Sequence, residues 1–191
     1  MIRSRRSGIA CGALLIAAAL ILRAPLEASM ALHMLLQLPA IAIGGALLGY
    51  ALRDSRAAAV FARFDALGLT GLAWLLFATA YWMIPRGLEL SLTLPLVEAA
   101  KFASLALMGA LLPASLSRAN AVIQMFFLGN LTWMMAIAGI QYQNMPQRLC
   151  NAYALDDQII TGVGLVIMAV LLGAAWCVWQ YPQAAAADRR A

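Results

Sequence analysis

Residues 158–180 read QIITGVGLVIMAVLLGAAWCVWQ, an apolar run without a charged residue. A helix rising 1.5 Å per residue needs about 20 residues to cross the hydrocarbon core of a bilayer. The stretch therefore reads as a transmembrane helix. Comparable runs lie at Gly8 to Leu22, Met30 to Leu52, Ala66 to Ile84, Leu92 to Leu116 and Ala119 to Gln141. None shows the period-two alternation of a membrane strand, and lipid-facing backbone must otherwise be satisfied within a helix. The expected fold is an all-α polytopic transmembrane helix bundle of six spans.

Composition agrees. The 191 residues are 64% hydrophobic and 11% charged, with a mean hydropathy of +0.86, far outside soluble norms. The connections are too short for a separate soluble domain, so residues 1–191 read as one integral membrane domain. The net charge of +5 is spread over loops and forms no basic face, which excludes a nucleic-acid surface and makes charge a topology signal. Arg3, Arg5, Arg6, Arg53, Arg56, Arg63, Arg118, Arg189 and Arg190 fall on one side of the spans; Arg23, Arg86 and Arg148 fall on the other. The positive-inside rule puts both termini in the cytoplasm of a bacterial inner-membrane protein if the first span is retained.

The first stretch, MIRSRRSGIACGALLIAAALILRAPLEA, has a basic start and a short apolar core, but a large acidic residue precedes Ala28 at the cleavage position. Residues 1–29 read as a signal anchor with its outer loop, or as a cleaved signal peptide that leaves five spans. Residues 142–157 read as an outward-facing interfacial segment, with Asn144 as N-cap and Pro146 in the first turn of a short helix. Gly45 and Gly49 make a small-xxx-small pair for close helix packing. Cys11, Cys150 and Cys177 form no CxxC pair and imply neither a disulfide framework nor zinc.

The chemistry-bearing residues fall in stripes. Residues three, four and seven apart share a helix face, which aligns Met30, His33, Met34 and Gln37 in MALHMLLQLP; Pro39 then removes a donor and kinks the helix. Glu98 and Lys101 stand one turn apart near the outer end of the fourth span and read as an ion pair. Asn130, Met134 and Gln141 align in the fifth, with Met135 beside them. Asp157, Thr161, Gly164 and Met168 align in the sixth, with Gln158 next to Asp157. Trp74, Phe77 and Tyr81 give the third span an aromatic face, ending at Trp82 and Met83. Alternating helix direction brings these groups to the outer half of the bundle, around an expected water-accessible cavity.

Thioether sulfur is soft and selects Cu(I), and imidazole accepts copper too, so Met30, His33, Met34 and Met134 are the candidate metal ligands. Gln37, Glu98, Lys101, Asn130, Asp157 and Gln158 are the candidate polar wall. The competing reading makes the methionines flexible packing residues. His33 is the only histidine, which excludes bis-histidine haem. Phosphate loops, nucleophile elbows, HExxH and paired catalytic carboxylates are absent, so no enzyme activity is expected.

From about Ile84 onward the order of features resembles the CtaG family of cytochrome c oxidase assembly proteins, in its caa3-associated branch. The resemblance rests on IPRGLEL…PLVEAAKF, on a following proline-containing span, and on YALDDQIITGVGLVIM, where Asp157, Gln158 and Gly162 match a D-Q-x-x-x-G pattern. The ALHMLLQLP opening of the second span looks like the family's histidine- and methionine-containing helices. The chain is shorter than the family pattern and has one histidine where the family has several. The resemblance implies copper handling in terminal-oxidase assembly, with His33 as a metal-binding histidine and oxidase subunits or a periplasmic copper chaperone as partners. Two further readings remain open from the residues: a small proton-coupled transporter using Glu98 and Lys101, and a quinone- or lipid-binding subunit of a redox complex built on Trp74, Tyr81 and Trp82.

Overall fold

The computed structural model describes the backbone of residues 2–188 and the side chains of residues 5–181. Arg189 and Arg190 and the side chain of Arg3, which enter the topology reading, lie outside those residues. The protein is an all-α bundle: α1 (Ile2–Ile21), α2 (Met30–Ala51), α3 (Arg56–Ala62), α4 (Leu69–Met83), α5 (Pro85–Thr93), α6 (Pro95–Arg118), α7 (Ala121–Asn144) and α8 (Leu155–Asp188). Among the described residues, five segments are long and apolar enough to cross a membrane: Met30–Ala51, Ala66–Met83, Pro95–Arg118, Ala121–Asn144 and Leu155–Tyr181. The bundle wears its apolar side chains outside. Phe77, Trp133 and Val170 are 74%, 68% and 66% exposed, an arrangement that suits lipid and would be costly in water.

Local sequence sets the helix ends. The Ser29, Ser55 and Asn120 side chains cap α2, α3 and α7 by accepting backbone N–H groups, while Pro85 and Pro95 open α5 and α6, where a missing N–H costs nothing. The turn into α4 uses Leu67 and Gly68 at φ 56° and 76°. Asp65 holds that turn: it is fully buried and accepts from Gly71 N at 3.1 Å, Ser115 Oγ at 2.8 Å and Arg118 Nη1 at 2.7 Å. This cluster marks one end of the bundle, opposite His33.

Small residues set the helix spacing. A Cβ on Gly45 or Gly49 would run into the Ala106 or Ala110 carbonyl of α6, and one on Gly109 would run into the Ala42 carbonyl of α2. The Gly45/Gly49 pair thus packs as its spacing predicts, and Gly109 answers it from the facing helix. Gly12 and Gly44 bring α1 against α2 in the same way, and Gly139 and Gly162 join α7 to α8.

Three local expectations are corrected. Pro39 does not end α2. A π turn over His33–Gln37 precedes it, with Leu38 N donating to the His33 carbonyl, and the helix runs on to Ala51; the widened turn makes room for a ring that lacks an N–H. No helix forms between Asn144 and Leu155. There the Gln158 side chain takes up the backbone instead, accepting from Leu149 N at 2.8 Å and donating to the Tyr142 carbonyl at 3.0 Å. The fourth expected span is also preceded by α5, a short separate helix that buries Gly87, Leu88 and Ser91 on one face and exposes Arg86 on the other.

Candidate functional site

The π turn of α2 positions the centre of the site. His33 and Gln37 both turn toward α6, where Lys101 is fully buried, as are His33 and Gln37 themselves. Lys101 Nζ lies 2.6 Å from Glu27 Oε1, 3.2 Å from Gln37 Oε1 and 3.0 Å from His33 Nε2. An ammonium has three N–H donors and no acceptor, and these three acceptors use all of them. The network therefore assigns the ring: Nε2 accepts from Lys101, the proton sits on Nδ1, and Nδ1 donates to the Tyr153 hydroxyl at 2.8 Å. Burial pushes the Tyr153 phenol up from its ordinary value, which keeps it a neutral hydroxyl. The cluster holds one cation, Lys101, against one carboxylate, Glu27, so it is neutral as a whole.

Glu27 comes from the connection between α1 and α2, and its Oε1 also accepts from Gln37 Nε2 at 3.1 Å. Gln37 Nε2 reaches the Ala19 carbonyl of α1 at 3.2 Å as well. On the same connection Arg23 forks onto Glu98 of α6, with Nη1 2.6 and 2.5 Å from the two carboxylate oxygens. Its guanidinium is half in solvent, at 54% exposed, against 15% for the Glu98 side chain. Glu98 and Lys101 are therefore not partners of each other. Each pairs with a residue of the 23–27 segment, because the arginine-to-glutamate order there runs opposite to glutamate-to-lysine on α6.

Asp157 is committed to the start of α2. Its carboxylate accepts from Ser29 Oγ at 2.8 Å, from Ala31 N at 3.3 Å and from Met30 N, capping α2, whose positive end favours it. The segment Tyr153–Gln158, which leads into α8, is thus fastened to Ser29–His33 through Tyr153 and Asp157. Gln158 is buried and spent on the 142–149 backbone. Burial also pushes the neighbouring Cys150 thiol up, so it stays protonated.

Beneath the polar cluster lies a separate apolar cavity of about 320 Å³. Met34, Met83, Met108, Met135 and Met168 contribute to its walls. Met30 is buried beside Asp157, one turn above. Two expected residues fall elsewhere. Met134 packs partly buried against the core and Met135 takes the cavity position, one residue and about 100° around the helix. Asn130 is exposed and donates to the Phe126 carbonyl of its own helix at 2.7 Å. Where the stripes led to the expectation of a single cavity, the structure brings together a fully bonded polar cluster stacked on an apolar, methionine-rich chamber. No buried side-chain nitrogen or oxygen among the described residues lacks a partner.

On the other side of Trp82 an open groove is lined by Trp74, Phe77, Tyr81 and Leu96. Ser104 anchors both indoles: Trp74 Nε1 donates to its carbonyl at 3.2 Å and Trp82 Nε1 to its hydroxyl at 2.9 Å. These rings are fixed wall elements, and Trp82 separates groove from chamber.

Sequence reasoning missed Glu27, Arg23 and Tyr153. The first two were legible only as part of a cleavage region and a topology charge; the complementary order of RAPLE and EAAK is the signal that links them. Among the described residues no group of three or more histidine, cysteine, aspartate or glutamate side chains is placed to hold a metal ion. The donor set that remains for a metal is the imidazole and the thioethers, which fits a soft ion and no hard one. No family model, curated protein or solved structure matches the chain.

Proposed function

We propose that this protein is a non-enzymatic copper-handling factor that supports assembly of a respiratory terminal oxidase. One observation carries the reading: His33 and Met34 are neighbours on the π turn of α2, the first in the imidazole cluster, the second in the wall of a chamber with four further thioethers. Soft thioether and imidazole donors favour Cu(I), and low, flexible coordination suits cargo that must be passed on. The bundle sits in the bacterial cytoplasmic membrane with the His33 end outward and the termini inside, as the arginine distribution favours. Its partners are oxidase subunits or a periplasmic copper chaperone. The two stretches that carry the resemblance to the CtaG family, ALHM and YALDDQ, meet through the Ala31–Asp157 and His33–Tyr153 bonds.

The expected result, for protein purified in detergent under reducing conditions, is about one Cu(I) per chain. His33→Ala/Met34→Ala should bind at least about tenfold more weakly. Equal binding by the two proteins removes the copper reading.

A second reading has its own support: Lys101 is bonded to Glu27 and stands one helical turn from Glu98, so two carboxylates are within its reach. Buried intramembrane charges with alternative partners suit proton-coupled transport. That reading remains if the copper test fails.

A further inference from the structure

From the hydrogen-bond inventory we infer that Lys101 is a resident cation in the copper site, holding the His33 Nε2 lone pair until a soft monovalent ion exchanges with it. The inference rests on the copper reading and adds its selectivity. Both ring nitrogens are committed in the closed cluster: Nδ1 carries the proton donated to Tyr153, and the Nε2 lone pair accepts from Lys101 at 3.0 Å. An imidazole ligates a metal through an unprotonated nitrogen. Nε2 is that nitrogen, so a metal and the Lys101 N–H exclude one another there.

Charge sets which ion can replace the ammonium. Glu27 is the carboxylate bonded to Lys101, and Asp157 is taken up by the Ser29 hydroxyl and the Met30 and Ala31 N–H groups. With Lys101 withdrawn, Glu27 balances one positive charge. A monovalent ion keeps the cluster neutral; a divalent ion leaves an uncompensated buried charge, which a low-dielectric site opposes strongly.

Lys101 also has somewhere to go. Glu98 lies three residues earlier on α6, on the same helix face, and its partner Arg23 is half exposed and able to turn into water. Moving from Glu27 to Glu98 keeps the ammonium paired and uncovers Nε2. Met30 and Met34, on the same stretch of α2 as His33, are the thioethers whose softness would favour a d10 monovalent ion over the ammonium.

Binding of Ag(I), a redox-stable stand-in for Cu(I), and of Zn(II) to the detergent-purified full chain tests this. Wild type should take Ag(I) in preference to Zn(II). Lys101→Leu, which removes the ammonium without adding a thioether, should bind Ag(I) at least about tenfold more tightly than wild type, since the competing cation is gone. The neutral double variant Glu27→Gln/Lys101→Leu avoids an unpaired buried carboxylate and should also bind more tightly than wild type, while adding His33→Ala to it should abolish the gain. If wild type binds Ag(I) and neither variant binds more tightly, the exchange is wrong and the copper reading stands. If wild type and both variants all fail to bind, the copper reading falls and takes the exchange with it. A preference for Zn(II) overturns the monovalent selectivity.

Discussion

Glu27→Ala should destabilise the protein by about 3–5 kcal/mol, the usual cost of removing one partner from a buried ion pair. The reason is Lys101, whose ammonium is fully buried and is left with two neutral acceptors, Gln37 and His33, and no counter-charge. Lys101→Met, by the same argument, strands a partly exposed carboxylate and costs less, because Glu27 keeps 13% of its side-chain surface in contact with solvent. Combining the two, as Glu27→Ala/Lys101→Met, removes both charges and should recover most of the loss. Thermal unfolding in one detergent, across the complete double-mutant cycle, checks this.

Gly109→Val should be at least as damaging, about 3 kcal/mol or more, because overpacking here meets backbone and not a side chain that could turn aside. The added Cβ would collide with the Ala42 carbonyl and force α2 away from α6. Since Lys101 sits on α6 while His33 and Gln37 sit on α2, the same separation pulls the polar cluster apart. Gly129→Ala is the internal control: nothing lies within 4 Å of a Cβ there, so it should be neutral or slightly stabilising through helix propensity. Detergent-solubilised yield and unfolding temperature separate the two outcomes, and a Gly109→Val protein as stable as wild type would mean that α2 and α6 do not pack as described.

Particular residues explain how far the sequence was legible. Spans were readable because bilayer thickness dictates length and composition together, so Met30–Ala51 and Leu155–Tyr181 stand out as apolar runs. Gly45 and Gly49 announced their close approach by spacing alone. The π turn could not be read, since it arises from how a helix accommodates Pro39, and π turns have no strong sequence mark. His33, Gln37 and Lys101 were found as members of stripes and do meet. Their counter-ion was not found, because the Glu27–Lys101 pair bridges 74 positions of sequence, a separation on which helical periodicity is silent. Met134 and Asn130 show the complementary limit: a stripe drawn on an ideal helix fixes which residues share a face but not which face turns inward, and one residue of offset exchanged Met134 for Met135.

Asp157 illustrates a different gap. Its place on a polar stripe of α8 put it in the expected cavity wall, yet its carboxylate is spent on the start of α2. Helix termini gather at one membrane face, so an acidic side chain there can cap a neighbour as readily as itself.

The central claim is that Tyr153, His33, Lys101 and Glu27 form one closed hydrogen-bonded cluster. Because the chain has a single histidine, labelling with ring-15N histidine gives the resonances of His33 alone. The account predicts a neutral ring protonated at Nδ1, slow to exchange with water, whose Nε2 resonance shifts in Lys101→Met and whose Nδ1–H resonance shifts in Tyr153→Phe. A ring protonated at Nε2, or one exchanging freely with water and unmoved by either substitution, would contradict it.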